Sequence, residues 1–131
     1  MKLTLHRGSH EIGGSCVEIS DDKTRIVLDI GMPLVKPDGK RFDFREYKHL
    51  KGHELVKEKV APDIKGFYVW DTSDKPIDAL IISHAHIDHY GLIRLVRKDI
   101  PCYLGEGTKR LIEITNIFMG GKNYIHKEKI F

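Results

Sequence analysis

The chain has 131 residues, 40% of them apolar and 31% charged, with a formal net charge of +3. That is the balance of one small globular domain; no apolar run reaches the roughly 20 residues of a membrane helix, and the charge is too small to mark a nucleic-acid binder by itself. The stretch from Met1 to Arg7 turns polar too soon for a secretory leader. Two cysteines, Cys16 and Cys102, are too few for a disulfide framework, so a reduced, cytoplasmic setting is expected.

The first third reads as β structure. Leu3 and Leu5 alternate with polar neighbours. Cys16 to Ile19 follows a Gly13-Gly14 turn, and Thr24 to Ile30 is a nearly continuous apolar run, the pattern of a strand covered on both faces. Asp21-Asp22-Lys23 predicts a hairpin turn between them, and Gly31 and Pro33 end the third strand. Residues 32–78 are the least regular. They hold a turn at Pro37-Asp38-Gly39 and a short helix over His53 to Val60, with breaks at Pro62, Gly66 and Pro76. A segment this long without regular structure is often functional, for example as a lid, and its aromatics Phe42, Phe44, Tyr47, Phe67, Tyr68 and Trp70 predict that it packs onto something.

Ala79 to Ile82 is a short buried strand. Gly91 to Lys98 has helical spacing, with Leu92, Leu95 and Val96 on one face. Ile100 to Leu104 is a further strand. Thr108 is the expected N-cap of a helix through Met119, whose stripe is Leu111, Ile114 and Phe118 beside Ile117, and Gly120-Gly121 stops it. Strands first, then strand–helix–strand–helix, give an α/β layered domain. Residues 94–131 carry eight Lys and Arg against four Asp and Glu; this excess reads first as a solvated surface, and it also suits RNA.

The segment Ser83-His84-Ala85-His86-Ile87-Asp88-His89-Tyr90-Gly91 carries the chemistry. Four strong metal-ligand side chains fall within six residues, where a buried strand ends and a helix begins. His84 and His86 point to the same side of an extended segment and can bind one ion. Asp88 and His89 can reach a second position nearby. Imidazole with carboxylate suits Zn²⁺, with Mn²⁺ or Fe as alternatives. His6, His10, His49 and His53 belong to no ligand-spaced cluster, and His126 lies in a polar tail. There is no nucleophile–base signature and no phosphate-binding glycine loop, because Gly13-Gly14 sits in a hairpin-like turn.

His-x-His-x-Asp-His after a short hydrophobic strand resembles the signature of the metallo-β-lactamase superfamily. The turn Glu11 to Cys16 and the segment Arg25 to Gly31 resemble that family's Gly-Gly-x-Cys/Asn and Leu-Asp-x-Gly strands. The opening His6-Arg7-Gly8, the Glu-Ile-Gly-Gly turn and the aromatic-rich insertion narrow the resemblance to the RNA-processing branch, ribonuclease J and the β-CASP nucleases. The similarity spans nearly the whole chain.

The resemblance implies an α/β fold: the N-terminal half of a four-layer αββα metallo-β-lactamase fold, a mixed sheet with helices on one face, truncated before its second half. Residues 1–131 would be a partial domain with 32–78 as a lid-like insertion. His84 and His86 would bind a first metal, and Asp88 and His89 a second. Asp88 would also be catalytic, and Asp29 would orient the motif loop from behind. The cofactor would be two Zn²⁺, with Mn²⁺ as an alternative, and the reaction two-metal hydrolysis by an activated water. RNA is the expected substrate. The family's third histidine, bridging aspartate and last histidine would lie beyond Phe131, so each metal position has at most two ligands here. Two other readings follow: a hydrolase of small esters, thioesters or cyclic nucleotides, and a non-catalytic binding protein that self-associates or pairs with its missing half through an uncovered sheet edge.

Overall fold

Among the described residues, five short runs of apolar or alternating character and one polar run hydrogen-bond in chain order into one mixed sheet: β1 (Lys2–Arg7), β2 (Cys16–Ser20), β3 (Arg25–Leu28), β4 (Ala79–Ile82), β5 (Cys102–Leu104) and the polar β6 (Glu128–Ile130). The computed structural model describes residues 1–74, 76–122 and 125–131. β1, β2 and β3 are antiparallel neighbours, and β3 to β6 run parallel. The β2–β3 turn forms as its aspartates predict: the Asp21 carboxylate accepts hydrogen bonds from the backbone of Lys23 and Thr24, each at 2.8 Å. Among the described residues three α-helices accompany the sheet: α1 (His53–Lys57), α2 (Ile87–Tyr90) and α3 (Glu106–Phe118). Among the described residues no helix is long and apolar enough to cross a membrane.

The sheet is apolar on both faces, for the reason visible in the run Ile26-Val27-Leu28. One face carries Cys16, Val27, Leu80, Ile82, Cys102 and Leu104, all buried. The other carries two cross-strand rows. Leu3, Ile19, Ile26 and Ala79 stand in register, as do Leu5, Val17, Leu28, Ile81 and Tyr103. Leu3, Leu5, Ile19 and Tyr103 on this second face are exposed. The expectation that β3 is covered on both sides holds for one side only among the described residues. The uncovered side is the one an αββα arrangement gives to a second sheet.

The irregular segment 32–78 is a structural part of the core. Leu55, Val60, Ala61, Ile64, Phe67 and Tyr68 are buried in the same cluster as the strands. Burying Phe67 alone contributes on the order of 2–3 kcal/mol. Tyr68 stacks on Trp70 with ring centroids 4.6 Å apart, and Phe42 stacks on Tyr47 at 5.1 Å. The Pro37-Asp38-Gly39 turn closes a small bridge between Val35 and Arg41. Arg7, only 6% exposed, fastens this segment to the end of β1. Its guanidinium donates to the carbonyls of Val60, at 2.9 Å, and Lys59. Burial lowers its pKa, and the two carbonyls satisfy its donors in exchange.

Three predicted elements differ in the structure. The helix expected over Gly91 to Lys98 is replaced by α2, which ends before Gly91, and a single 3₁₀ turn at Ile93–Leu95. The helical period is real, but backbone partners elsewhere win. Val69 N–H donates to Leu95 O and Arg97 N–H to Phe67 O, both at 2.9 Å, and Val96 bridges Tyr68 in extended geometry. The last helix starts two residues before Thr108, with Gly105 at its N-cap. Its buried residue is Ile112; Leu111, Ile114, Ile117 and Phe118 of the expected stripe are all exposed, Phe118 by 85%. Apolar residues on more than one side of α3 leave its orientation undetermined by period alone. β6 lies in what reads as a polar tail. It joins the sheet through its backbone beside β5, and its three side chains are all exposed. Cys16 and Cys102 are buried free thiols, each pushed up to about 12 by burial.

The closest packing lies where the loop after β3 crosses the motif loop. A Cβ on Gly31 would stand 1.7 Å from the carbonyl oxygen of Asp88 and 2.8 Å from Cα of Gly14. Gly31→Ala is therefore expected to destabilise the chain by about 1–3 kcal/mol, read as a fall in the urea midpoint. Gly107→Ala, on a helix with open space around it, is expected to raise stability by about 0.5 kcal/mol. Equal effects from the two would contradict this packing.

Glu18 sets a second expectation. It is buried on the covered face, with its carboxylate 2.8 Å from Arg25 Nε and 2.9 Å from His6 Nε2. Burial raises its pKa, but the hydrogen bonds from Arg25 and His6 outweigh this, and the net pKa falls below its ordinary value. A carboxyl with a depressed folded pKa adds stability above its unfolded pKa and loses it as pH falls through the folded one. Glu18→Gln is thus expected to narrow the difference in urea midpoint between about pH 7 and pH 3. An unchanged difference would show that Glu18 carries none of the acid sensitivity.

Candidate metal centre

The motif begins where β4 ends. β3 and β4 are adjacent parallel strands, and both deliver their polar residues at their C-terminal ends, the end of an open α/β sheet at which ligands bind. Asp29 follows β3 and Ser83 follows β4. Asp29 takes φ = 62°, a left-handed conformation that its short polar side chain tolerates better than most. Its own N–H still donates to Ile81 O of β4, at 2.8 Å.

Backbone hydrogen bonds sew the two loops together. Ile30 N–H donates to His89 O, Met32 N–H to Ile87 O and Leu92 N–H to Ile30 O. Ser15, from the turn before β2, donates to Asp88 O at 3.0 Å and accepts from Gly31 N–H at 3.0 Å. Both sides of the motif are thereby held by backbone hydrogen bonds as well as by their side chains.

Asp29 is 4% exposed and its carboxylate is fully engaged. Oδ1 accepts from Ser83 N–H at 2.8 Å. Oδ2 accepts from Ser83 Oγ at 2.7 Å and lies 2.7 Å from His89 Nδ1. A carboxylate only accepts, so the proton of that imidazole sits on Nδ1 and Nε2 carries the free lone pair. The His89 and His84 rings lie 3.8 Å apart, and the His84 and His86 rings 4.8 Å apart at an interplanar angle of 89°. Asp88 Oδ2 stands 3.7 Å from His89 Nε2.

His84, His86, Asp88 and His89 thus fall in one place, with Asp29 beneath them. Among the described residues no three His, Cys, Asp or Glu side chains converge as a closed ligand set. The donor types, three imidazoles and a carboxylate, suit a borderline divalent cation, and their number supplies part of a site. Two clefts, of about 340 and 700 Å³, lie elsewhere, along His53 to Ser73 and between the 6–12 turn and the 33–63 segment; no motif side chain lines either. His49, His53 and His126 stand outside the motif in the chain. His6 is taken up by Glu18, and His53 packs edge-on against Trp70. Ser83, Ser15 and Gly31 are the contributors that composition and spacing did not single out. The signal for Ser83 is its place: a hydroxyl directly after β4, opposite a carboxylate directly after β3.

Relatives match the same region. The chain is 35% identical over 101 residues to an RNase J-like protein of Methanocaldococcus jannaschii, covering 76% of this chain and 17% of that protein. It is 28% identical over 117 residues to a probable RNase MJ4 of the same organism, covering 87% and 21%. It is 26% identical over 118 residues to Integrator complex subunit 11 of Danio rerio, covering 87% and 17%. The chain therefore spans about a fifth of the length of these relatives. A solved protein of unknown function from Enterococcus faecalis V583 superimposes with a TM-score of 0.69 at 22% identity, covering 98% of this chain and 32% of that one, which supports the fold. The model of the metallo-beta-lactamase superfamily matches residues 11–123, from the turn before β2 to beyond α3. With a mixed sheet that delivers Asp29 and the His84–His89 motif to one end, this chain belongs to the metallo-β-lactamase superfamily.

Proposed function

We propose that this chain provides the first half of the metal site of an RNA-cleaving, ribonuclease-J-type phosphodiesterase. The observation that carries it is the gathering of His84, His86, Asp88 and His89 over Asp29 at the C-terminal ends of β3 and β4. His84 and His86 would hold one cation, and Asp88 and His89 a second. The donor set favours Zn²⁺, with Mn²⁺ as the alternative. Bound divalent cations would supply Lewis acidity to the phosphodiester and acidity to a water. The chain's own residues do the positioning. Asp29 fixes the His89 ring so that Nε2 faces the site, and the backbone bonds from Ile30, Met32 and Ser15 hold Asp88 and His89 in place. The names of the archaeal relatives support RNA as the substrate class, as does the basic excess in residues 94–131.

With two donors per position, the 131-residue chain is expected to bind Zn²⁺ weakly and to show negligible ribonuclease activity. Chelator-competition titration and a single-stranded RNA cleavage assay measure the two. In the polypeptide of the complete reading frame, His84→Ala and Asp88→Ala are each expected to lower RNA cleavage by on the order of 10²–10³-fold, with the folded far-UV circular dichroism kept. Retained cleavage in both variants would remove these residues from the site. Cleavage of small esters but not of RNA would move the assignment to the small-molecule hydrolases.

A further inference from the structure

Ser83 touches more of the site than any residue not counted among the ligands. Its N–H and its hydroxyl both reach Asp29, and the same Oγ lies 3.0 Å from His84 Nδ1 and 3.3 Å from His89 Nδ1. A hydroxyl has one proton to give and two lone pairs with which to accept. The proton has one destination. Oγ and Asp29 Oδ2 are 2.7 Å apart, and two acceptors at that distance need a proton between them. The hydroxyl therefore donates to Asp29 and has only lone pairs left for the imidazoles.

We propose that Ser83 is a positioning residue that sets the tautomer of His84. Its oxygen accepts the Nδ1 proton of His84, and the ring is left with its free lone pair on Nε2. The alternative, with the hydroxyl proton turned to His84, leaves Oγ facing Oδ2 unprotonated and is excluded by the same count. His89 reaches the same tautomer directly, because its Nδ1 lies 2.7 Å from the Asp29 carboxylate. One buried carboxylate thus orients two imidazoles: His89 by contact and His84 through a serine hydroxyl. The bond that the second ring nitrogen makes decides which nitrogen is left for a metal. The inference rests on the metal-site reading for what the free Nε2 is for; the hydrogen bonds themselves do not.

Long-range ¹H–¹⁵N correlation spectra of the imidazoles test this in the 131-residue chain, with chelator present and at about pH 9, where histidine is neutral. His84 and His89 are both expected as the Nδ1–H tautomer. In Ser83→Ala, His84 should move towards Nε2–H while His89 stays. In Ser83→Thr, which restores the hydroxyl, both should stay. His89 serves as the internal report of folding. If Ser83→Ala disturbs His89 as well, the parent and Ser83→Thr spectra decide, since both require Nδ1–H at His84. Nε2–H at His84 in the parent chain, or an unchanged His84 in a folded Ser83→Ala, would overturn the proposal. Zn²⁺ affinity provides the separate reading: a loss of about 10-fold in Ser83→Ala and none in Ser83→Thr is expected. Absence of Zn²⁺ binding by the parent chain with the tautomer pattern intact would defeat the metal reading and sustain the role of Ser83. Binding with no tautomer change in Ser83→Ala would do the reverse.

Discussion

The carboxylate of Asp29 is the point on which the motif loop hangs. It sits in a left-handed conformation at the end of β3, is almost fully buried, and takes donors from Ser83 twice and from His89 once. A buried carboxylate is costly unless each lone pair facing the interior finds a donor. The donors here all come from the neighbouring strand's loop. The pairing of β3 with β4 sets the two strand ends side by side, and the requirement to satisfy Asp29 ties the motif loop, with its histidines, over them. Asp29 accepts from the side chains of the motif loop as well as from its backbone.

Packing makes this arrangement rigid. Gly31 lies so close to Asp88 O that no other side chain fits, and Ser15 links the β2 turn to both loops. The three crossing segments, 13–16, 29–32 and 86–92, share backbone hydrogen bonds and little free volume. A small displacement of any one would be felt by His89 and Asp88. The irregular segment 32–78 supports this unit, with Phe67 and Tyr68 buried and Arg7 clamping Lys59 and Val60. It has the irregularity of a lid and the burial of a core element.

The sheet itself carries more apolar surface than the described residues cover. Leu3, Leu5, Ile19 and Tyr103 form one exposed side of it, and Leu111, Ile114, Ile117 and Phe118 give α3 an exposed apolar side as well. Relatives about five times as long share this segment. Sheet faces of this composition are buried in larger α/β and αββα arrangements.

The sequence alone determined the family, the strand–turn pattern of the first third, the position of β4 and the identity of the clustered histidines and aspartates. These are local: they depend on period, on turn residues and on ligand types at fixed spacing. Tertiary structure decided the rest. Residues 91–98 have a helix period, yet the backbone of Phe67 and Val69 takes their hydrogen bonds, so the helix is lost. α3 carries apolar residues on more than one side, and only its packing showed that Ile112 faces inward. β6 has no apolar pattern, because an edge strand can be held by backbone pairing alone. The reach of Ser83 to Asp29 joins two strand ends that are 54 residues apart in the chain. No spacing rule carries that information, because it is the sheet register that brings them together.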